Sequence, residues 1–222
     1  MMEIDKDAIR QRFAVLDTAN VSDVLDDLGI GGQGLAPELV CHSGARLSGW
    51  AFTIAGNMTT YDDVADELKL EACQQISVGD ITVWGGSATG VCCFGELITL
   101  GMKERGAVGA LVDGGVRDVH WIREHGFTVF ARYRSPVQSI GRWKVSGWQQ
   151  TVYMPGATTD RVAIRPSDFI LGDDDGVIVV PHDNVDEVLV MAERLTDSER
   201  RMRQELRDGA SLSACLAKYG HV

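Results

Sequence analysis

Ile81-Thr82-Val83-Trp84, Gly85-Gly86-Ser87-Ala88-Thr89-Gly90, Gly95-Glu96-Leu97 and Val112-Asp113-Gly114-Gly115-Val116-Arg117-Asp118 together decide how this chain folds. The first run is β-branched and apolar and reads as a strand, the glycine-rich run after it as a loop, and Phe94 to Glu104 as a helix. After Arg105-Gly106, the apolar run Val108 to Val112 predicts a second strand. A glycine turn, a helix near Arg117 to Glu124 and a third strand over Phe127 to Ala131 follow. Parallel strands joined by crossover helices return the chain to the same edge, so both helix starts fall at the carboxyl ends of their strands. Glu96 and the pair Arg117-Asp118 can therefore meet, although twenty residues separate Glu96 from Arg117.

Two carboxylates and a guanidinium at helix starts suggest a particular chemistry. Backbone N–H groups there favour a small anion, arginine binds carboxylates and oxyanions, and carboxylates hold Mg²⁺ directly or through its waters. The same residues also suit a helix dipole and a surface ion pair. Chemistry alone leaves both readings open.

Working outward, Asn20 to Leu28 predicts a helix closed by Gly29, with a loop over Gly29 to Gly34. Asp62 to Leu70, continuing toward Gln75, carries Val64, Leu68 and Ala72 at helical spacing. Its acidic residues Asp62, Asp63, Asp66, Glu67 and Glu71 form a solvated face. Downstream, Val162 to Ile164 and Val177 to Val180 read as strands with Phe169-Ile170-Leu171 between them, and Asp175-Gly176 signals a hairpin. The aspartate run Asp173 to Asp175 lacks the alternating ligands and distal glutamate of a calcium loop. From Asn184 to Arg207 an amphipathic helix places Val185, Val188, Ala192 and Leu195 on one side, capped by Asp183 or Asn184. Its charged half, from Asp197, packs on another subunit or projects into solvent.

At 222 residues the chain suffices for one large domain with an appended helical tail. A net charge of −11 argues against a nucleic-acid surface, which needs a basic face to displace counterions. Met1-Met2-Glu3-Ile4-Asp5 lacks the basic and apolar regions of a leader, and no apolar stretch approaches membrane-spanning length. A cytoplasmic protein with neither nucleic-acid nor membrane partners is expected. Cys41, Cys73, Cys92, Cys93 and Cys215 show no Cys-x-x-Cys spacing and fit reduced thiols, with Cys92-Cys93 as small buried groups. His42, His120, His125, His182 and His221 do not form metal-ligand spacing. Gly85 to Gly90 lacks both the Gly-x-Gly-x-x-Gly register and the lysine of a phosphate loop. Trp84 and Trp121 suit either a pocket wall or the core. Arg123, Arg132, Arg134 and Arg142 suit either a second carboxylate on a ligand or a solvated surface.

Leu16 to Leu25, Gly49-Trp50-Ala51-Phe52-Thr53, Gly95-Glu96-Leu97 with Val112 to Asp118, Pro166-Ser167-Asp168 and Gly172 to Val177 occur in an order and spacing that resemble the RraA-like family. That family includes class II pyruvate aldolases acting on 4-hydroxy-4-methyl-2-oxoglutarate and 4-carboxy-4-hydroxy-2-oxoadipate. It also includes the regulator of ribonuclease activity A, and members long labelled demethylmenaquinone methyltransferases. The resemblance covers nearly the whole chain. It implies an α/β fold: a layered α/β/β/α sandwich with a parallel βαβ core and an additional β layer. A single domain over residues 1–182 is expected, with a C-terminal helical extension over 183–222 packing on it or on a neighbouring subunit.

The activity so implied is that of a divalent-metal-dependent lyase, cleaving the C3–C4 bond of a 4-hydroxy-2-oxo acid or decarboxylating oxaloacetate through a pyruvate enolate. By similarity Arg117 binds the keto oxygen, Asp118 holds Mg²⁺ or Mn²⁺, and the amides of Leu97 and Ile98 take the pyruvyl carboxylate. Gly85 to Gly90 then reads as a turn lining the pyruvyl pocket. Characterised aldolases have aspartate where this chain has Glu96, which keeps the charge and reaches one methylene further. The family site lies between subunits, implying a homotrimer or hexamer in which Glu193 or Glu199 of a neighbour completes it. No Schiff-base lysine is implied, since Lys69, Lys103 and Lys144 lie outside the matched motif. A non-catalytic, protein-binding regulator resembling the ribonuclease E inhibitor branch is the alternative. A methyltransferase would require an adenosine-binding loop that the sequence does not place in context.

Overall fold

The computed structural model describes residues 5–62 and 65–220; Met1 to Ile4, Asp63, Val64 and His221, on which parts of the sequence reading fell, lie outside the described residues. Helices α1 (Lys6–Phe13) and α2 (Thr18–Asp27) precede a short strand β1 (Val40–Ser43) and a long one, β2 (Leu47–Met58). The expected alternation follows as α3 (Glu67–Gln74), β3 (Asp80–Phe94), α4 (Glu96–Lys103), β4 (Gly109–Val116), α5 (Val119–Glu124) and β5 (Thr128–Arg134). Strands β6 (Trp143–Trp148), β7 (Val152–Pro155), β8 (Arg161–Ile164), β9 (Phe169–Asp173) and β10 (Gly176–Val180) come next, then α6 (Val185–Arg207) and α7 (Leu212–Tyr219).

Seven strands lie in the order β1-β5-β4-β3-β2-β9-β10, and β6 joins the same sheet on β2. Neighbours among β2, β3, β4 and β5 are parallel, whereas β1, β6, β9 and β10 pair antiparallel. β9 takes β2 at Leu47 to Trp50, and β6 takes it at Ile54 to Met58. β7 and β8 form a separate antiparallel pair.

Side-chain alternation explains the layers. Trp84, Val112 and Ala131 share an apolar cluster with Ala72 of α3, Met102 of α4 and Ile122 of α5. Trp50, Phe169, Leu171 and Val180 meet α1, α2 and α6. The opposite side chains, Ile81, Val83, Leu111 and Phe130, pack with Val152, Met154, Val162 and Ile164 of the small sheet. Fully burying each large apolar side chain stabilises by about 1.5–3 kcal/mol, so these interleaved runs hold the layers together. The result is the expected mixed α/β fold: one large sheet with a parallel centre and a second, smaller β layer.

Two local readings are corrected. Gly85 to Gly90 is not a loop but part of β3, which runs on with irregular register to Phe94. Gly86, at φ 106°, lies so close to the Gly56 carbonyl of β2 that a Cβ would sit 1.8 Å from its oxygen. Gly114-Gly115 is likewise strand rather than turn: a Cβ there would meet Ala88 Cβ at 2.6 Å or the Val91 carbonyl oxygen at 2.6 Å. Asn184, one of the two expected caps, is the N-cap of α6, though without a side-chain capping bond.

Helix α1 was not read from the sequence, though Asp5 caps it by accepting from the Ala8 N–H at 3.1 Å. Its Phe13 stacks on Phe169 with centroids 4.4 Å apart. α3 starts at Glu67, later than Asp62, with Asp66 as its cap. Val185, Val188, Leu189 and Ala192 of α6 are buried against α1 and α2. In its charged half Glu205 receives Lys218 at 2.5 Å and Tyr219 at 2.6 Å from α7, which folds back upon it.

Candidate functional site

β3 and β4 end side by side. Phe94 is in register with Val116, and the Arg117 N–H donates to the Phe94 carbonyl at 3.1 Å. Each chain then turns at once into a helix, α4 at Glu96 and α5 at Val119. Between them sits Asp118 with φ 57° and ψ 31°, a left-handed conformation that aspartate tolerates better than most residues. Backbone of this kind clusters at functional sites because the surrounding structure must hold it in place.

The expected convergence is present. Asp118 Oδ2 lies 3.4 Å from Arg117 Nε and 3.4 Å from the Glu96 backbone nitrogen. Both side chains are open, Arg117 at 42 % and Asp118 at 43 % exposure, so neither is consumed by the other. Gly95 is the surface on which they rest: a Cβ there would come 3.0 Å from Asp118 Oδ2 and 3.4 Å from Arg117 Cγ. Glu96, Leu97, Ile98, Arg117 and Asp118 all line one cleft of about 350 Å³. In α4 the Thr99 N–H closes the first helical bond, to Gly95 O at 3.0 Å. The preceding N–H groups of Leu97 and Ile98 belong to the helix start, where intrahelical acceptors are lacking and an anion is favoured.

The extra methylene of Glu96 has a visible consequence. Its Oε1 reaches His125 Nε2 at 2.9 Å, a contact that sequence spacing did not suggest. Glu193 and Glu199 do not line the cleft: within this chain they pair with Arg12 at 2.7 Å and with Arg203 at 2.6 Å. Gly85 to Gly90, expected along the pocket, does not line it either.

Among the described residues no group of three or more His, Cys, Asp or Glu side chains is arranged to hold a metal ion. The cleft's own acidic donors at the strand ends are Asp118 and Glu96. Mg²⁺ takes one or two carboxylates and fills its other positions with water and substrate oxygens, which this donor set fits. A structural zinc site, with four side-chain ligands, does not fit.

Cys92 and Cys93 back the cleft. Burial pushes the Cys93 thiol up to about 12 and raises Cys92 too, with Arg117 pulling Cys92 the other way. Both remain neutral near pH 7 and serve as packing groups. Trp84 is fully buried beneath the cleft, edge-on to Phe94 at 5.6 Å, whereas Trp121 stands exposed on α5 beside His120.

None of the four arginines considered for a second carboxylate lines the cleft. Arg123 donates to the His42 carbonyl at 3.1 Å, Arg132 to Asp113 at 3.3 Å, Arg134 to His42 Nδ1 at 3.1 Å and Arg142 to the Gln138 carbonyl at 3.4 Å. Lys69 does line it, although it lies outside the motif that carries the family resemblance.

Known proteins resemble this chain in sequence and in fold. A protein of Legionella pneumophila named Protein DlpA is 29 % identical over 94 % of this chain, which spans only 33 % of that relative's length. A Halalkalibacterium halodurans protein, named "Putative 4-hydroxy-4-methyl-2-oxoglutarate aldolase", is 28 % identical over 100 % of this chain and 99 % of its own. Among solved structures, RraAS2 of Streptomyces coelicolor, described as an unusual member of the RNase ES inhibitor RraA protein family, superposes with a TM-score of 0.77. It covers 89 % of this chain and 98 % of its own at 21 % identity, a likeness of fold. The family profile described as Aldolase/RraA matches residues 18–179, which contain β2 to β5 and every residue of the strand-end cluster, and the chain belongs to the RraA-like family.

Proposed function

We propose that this chain is a divalent-cation-dependent lyase that cleaves the C3–C4 bond of a 4-hydroxy-2-oxo acid, or releases carbon dioxide from oxaloacetate, by way of a pyruvate enolate. The observation that carries this reading is the open Arg117-Asp118 pair beside the free helix start of α4 in one cleft. The full-length likeness to the aldolase-named relative supports it.

In this reading the N–H groups of Leu97 and Ile98 hold the carboxylate of the 2-oxo acid. Arg117 sits at the keto oxygen, where negative charge develops as the bond breaks. A donor placed there contributes on the order of 10²–10³ in rate. Asp118 would hold the cation with Glu96 in support, and a bound cation would supply Lewis-acid polarisation of the keto group. A solvent water takes the proton of the C4 hydroxyl, the C4–O bond becomes a carbonyl, and the C3–C4 electron pair moves into the C2–C3 enolate. Protonation at C3 then gives pyruvate. With oxaloacetate the departing C4 group is carbon dioxide and no hydroxyl proton is needed.

Leu97, 79 % exposed on the cleft, and Trp121, 57 % exposed on α5, offer apolar surface of the kind a neighbouring subunit covers. We place the site in a homotrimer or hexamer, with Glu193 or Glu199 arriving from the neighbour. A protein-binding regulator is the second reading, favoured by the net charge of −11. It leaves the exposed Arg117-Asp118 pair without a task.

The test is pyruvate release from 4-hydroxy-4-methyl-2-oxoglutarate and from oxaloacetate, with Mg²⁺ and with EDTA. Release with Mg²⁺ and its loss in EDTA are expected. No pyruvate from either substrate with Mg²⁺ or Mn²⁺ ends the proposal.

A further inference from the structure

We propose that Lys69 makes the cleft selective for a 2-oxo acid bearing a second carboxylate, by pairing with that distal group. The inference rests on the reading of Leu97, Ile98 and Arg117 as the pyruvyl end. Lys69 and Arg117 are the two basic residues lining the cleft among the described residues. Arg117 already has Asp118 beside it, whereas Lys69 has no carboxylate partner among the described residues. Its ammonium donates to the Cys93 carbonyl and lies 5.3 Å from the Trp84 ring centroid and 5.8 Å from that of Trp143.

The nearest acid on its own helix is engaged elsewhere. Asp66 accepts the Lys69 N–H through Oδ1 at 3.2 Å and the Val145 N–H through Oδ2 at 2.8 Å. These bonds pin the start of α3 to β6 and fix where the lysine stands, and no carboxylate among the described residues pairs with its ammonium. An ammonium has three donors, and the Cys93 carbonyl takes one. Buried Phe94 and Cys93 line the same space, so an incoming carboxylate would meet the cation in surroundings that screen it less than water does.

The spacing suits a short diacid. Two residues of extended chain, about 7 Å, separate Cys93 from Gly95, on which Arg117 rests. The keto carbon and far carboxylate carbon of a five- or six-carbon 2-oxo dicarboxylate lie about 4–5 Å apart, and the hydrogen bonds at either end make up the remainder. With the four arginines occupied elsewhere, Lys69 is the cation positioned to read that end.

Calorimetric titration of the full chain in Mg²⁺, with pyruvate and with 2-oxoglutarate, tests the proposal. Wild type should prefer 2-oxoglutarate, K69M should lower the ratio of the two affinities by about tenfold or more, as expected for a lost charge-assisted contact, and K69R should restore part of it. If K69M loses its fold by circular dichroism, K69Q carries the same prediction. Equal weakening of both ligands would show that Lys69 only packs over Trp84 and Trp143, and overturns the idea. So does a wild type with no preference, or one that binds neither. A chain that prefers 2-oxoglutarate through Lys69 but releases no pyruvate refutes the lyase reading alone. A lyase whose ligand preference ignores Lys69 refutes this inference alone.

Discussion

Asp173, at the end of β9, and Asp118, just beyond the end of β4, occupy similar places in the sheet and are treated in opposite ways. Asp173 is buried, and its oxygens accept the Thr18 N–H at 2.8 Å, the Thr18 hydroxyl at 2.7 Å and the Asp175 N–H at 3.0 Å. Nearby Asp168 is just as enclosed, accepting the Arg165 N–H at 2.7 Å and the His182 N–H at 2.9 Å. Burial pushes the Asp168 carboxyl up, and those two N–H groups pull it partly back. Asp118 has two contacts at 3.4 Å and almost half its surface in solvent. A carboxylate whose lone pairs are filled by its own backbone fastens the fold. One left open has capacity for a ligand, so the bonding state separates the two roles where the residue type cannot.

The hardest test of that contrast is at the cleft. Arg117→Ala and Asp118→Asn should each lower kcat/KM for pyruvate release by about 10²–10³ with the melting temperature nearly unchanged. Asparagine keeps the left-handed backbone at 118, so the second variant isolates the charge. Wild-type turnover in either would remove the assigned roles. On the other side, Asp173→Ala strands buried donors and should cost about 2–3 kcal/mol in urea unfolding, with kcat per folded molecule retained. A fall in kcat without a fall in stability would erase the distinction.

Gly95→Ala sharpens the comparison at intermediate scale. Its Cβ would displace Asp118 or Arg117, two half-exposed side chains that can yield into solvent without disturbing the core. The loss should fall on turnover, about tenfold or more, rather than on the denaturation midpoint.

The smallest effect belongs to Glu193, which the Arg12 hydrogen bond holds below the ordinary glutamate value. A depressed carboxylate contributes stability above its unfolded pKa and loses it as pH falls through the folded one. Because Arg12 and Glu193 are both substantially exposed, the contribution is at most a few tenths of a kcal/mol. Glu193→Gln should therefore lower stability by that small amount near neutrality, with the difference fading as pH falls below the normal glutamate range, so that the acid limb of the melting profile flattens slightly. A change of equal size at pH 7 and pH 3 would show that the pair does not titrate with folding.

Much of this was legible in the chain. β-branched runs and helical spacing are local signals, and they placed β3, α4, β4, α5 and β5, hence the meeting of Glu96 with Arg117-Asp118. Gly85 to Gly90 and Gly114-Gly115 were misread because a glycine needed for close backbone approach looks locally like one needed for a turn. The neighbour that demands it, Gly56 or Ala88, is distant in sequence. The Glu96–His125 contact was hidden for the same reason, as were the partners of Arg123, Arg132, Arg134 and Arg142. Lys69 was set aside because chemistry at the ketone needs no amine. Its approach to the cleft depends on the Asp66–Val145 bond, which no spacing announces.

One edge of β2 is divided between two partners, β9 along its first part and β6 along its last. Sliding either strand by one position would turn its side chains inside out, and the other strand leaves no free edge to slide into. The late hairpin and the ribbon that carries Val145 are thus indexed against each other like two teeth on a single rack. Any accommodation of a bulkier ligand under α3 must come from helix tilt or side-chain rearrangement, because the sheet beneath has no slack to lend.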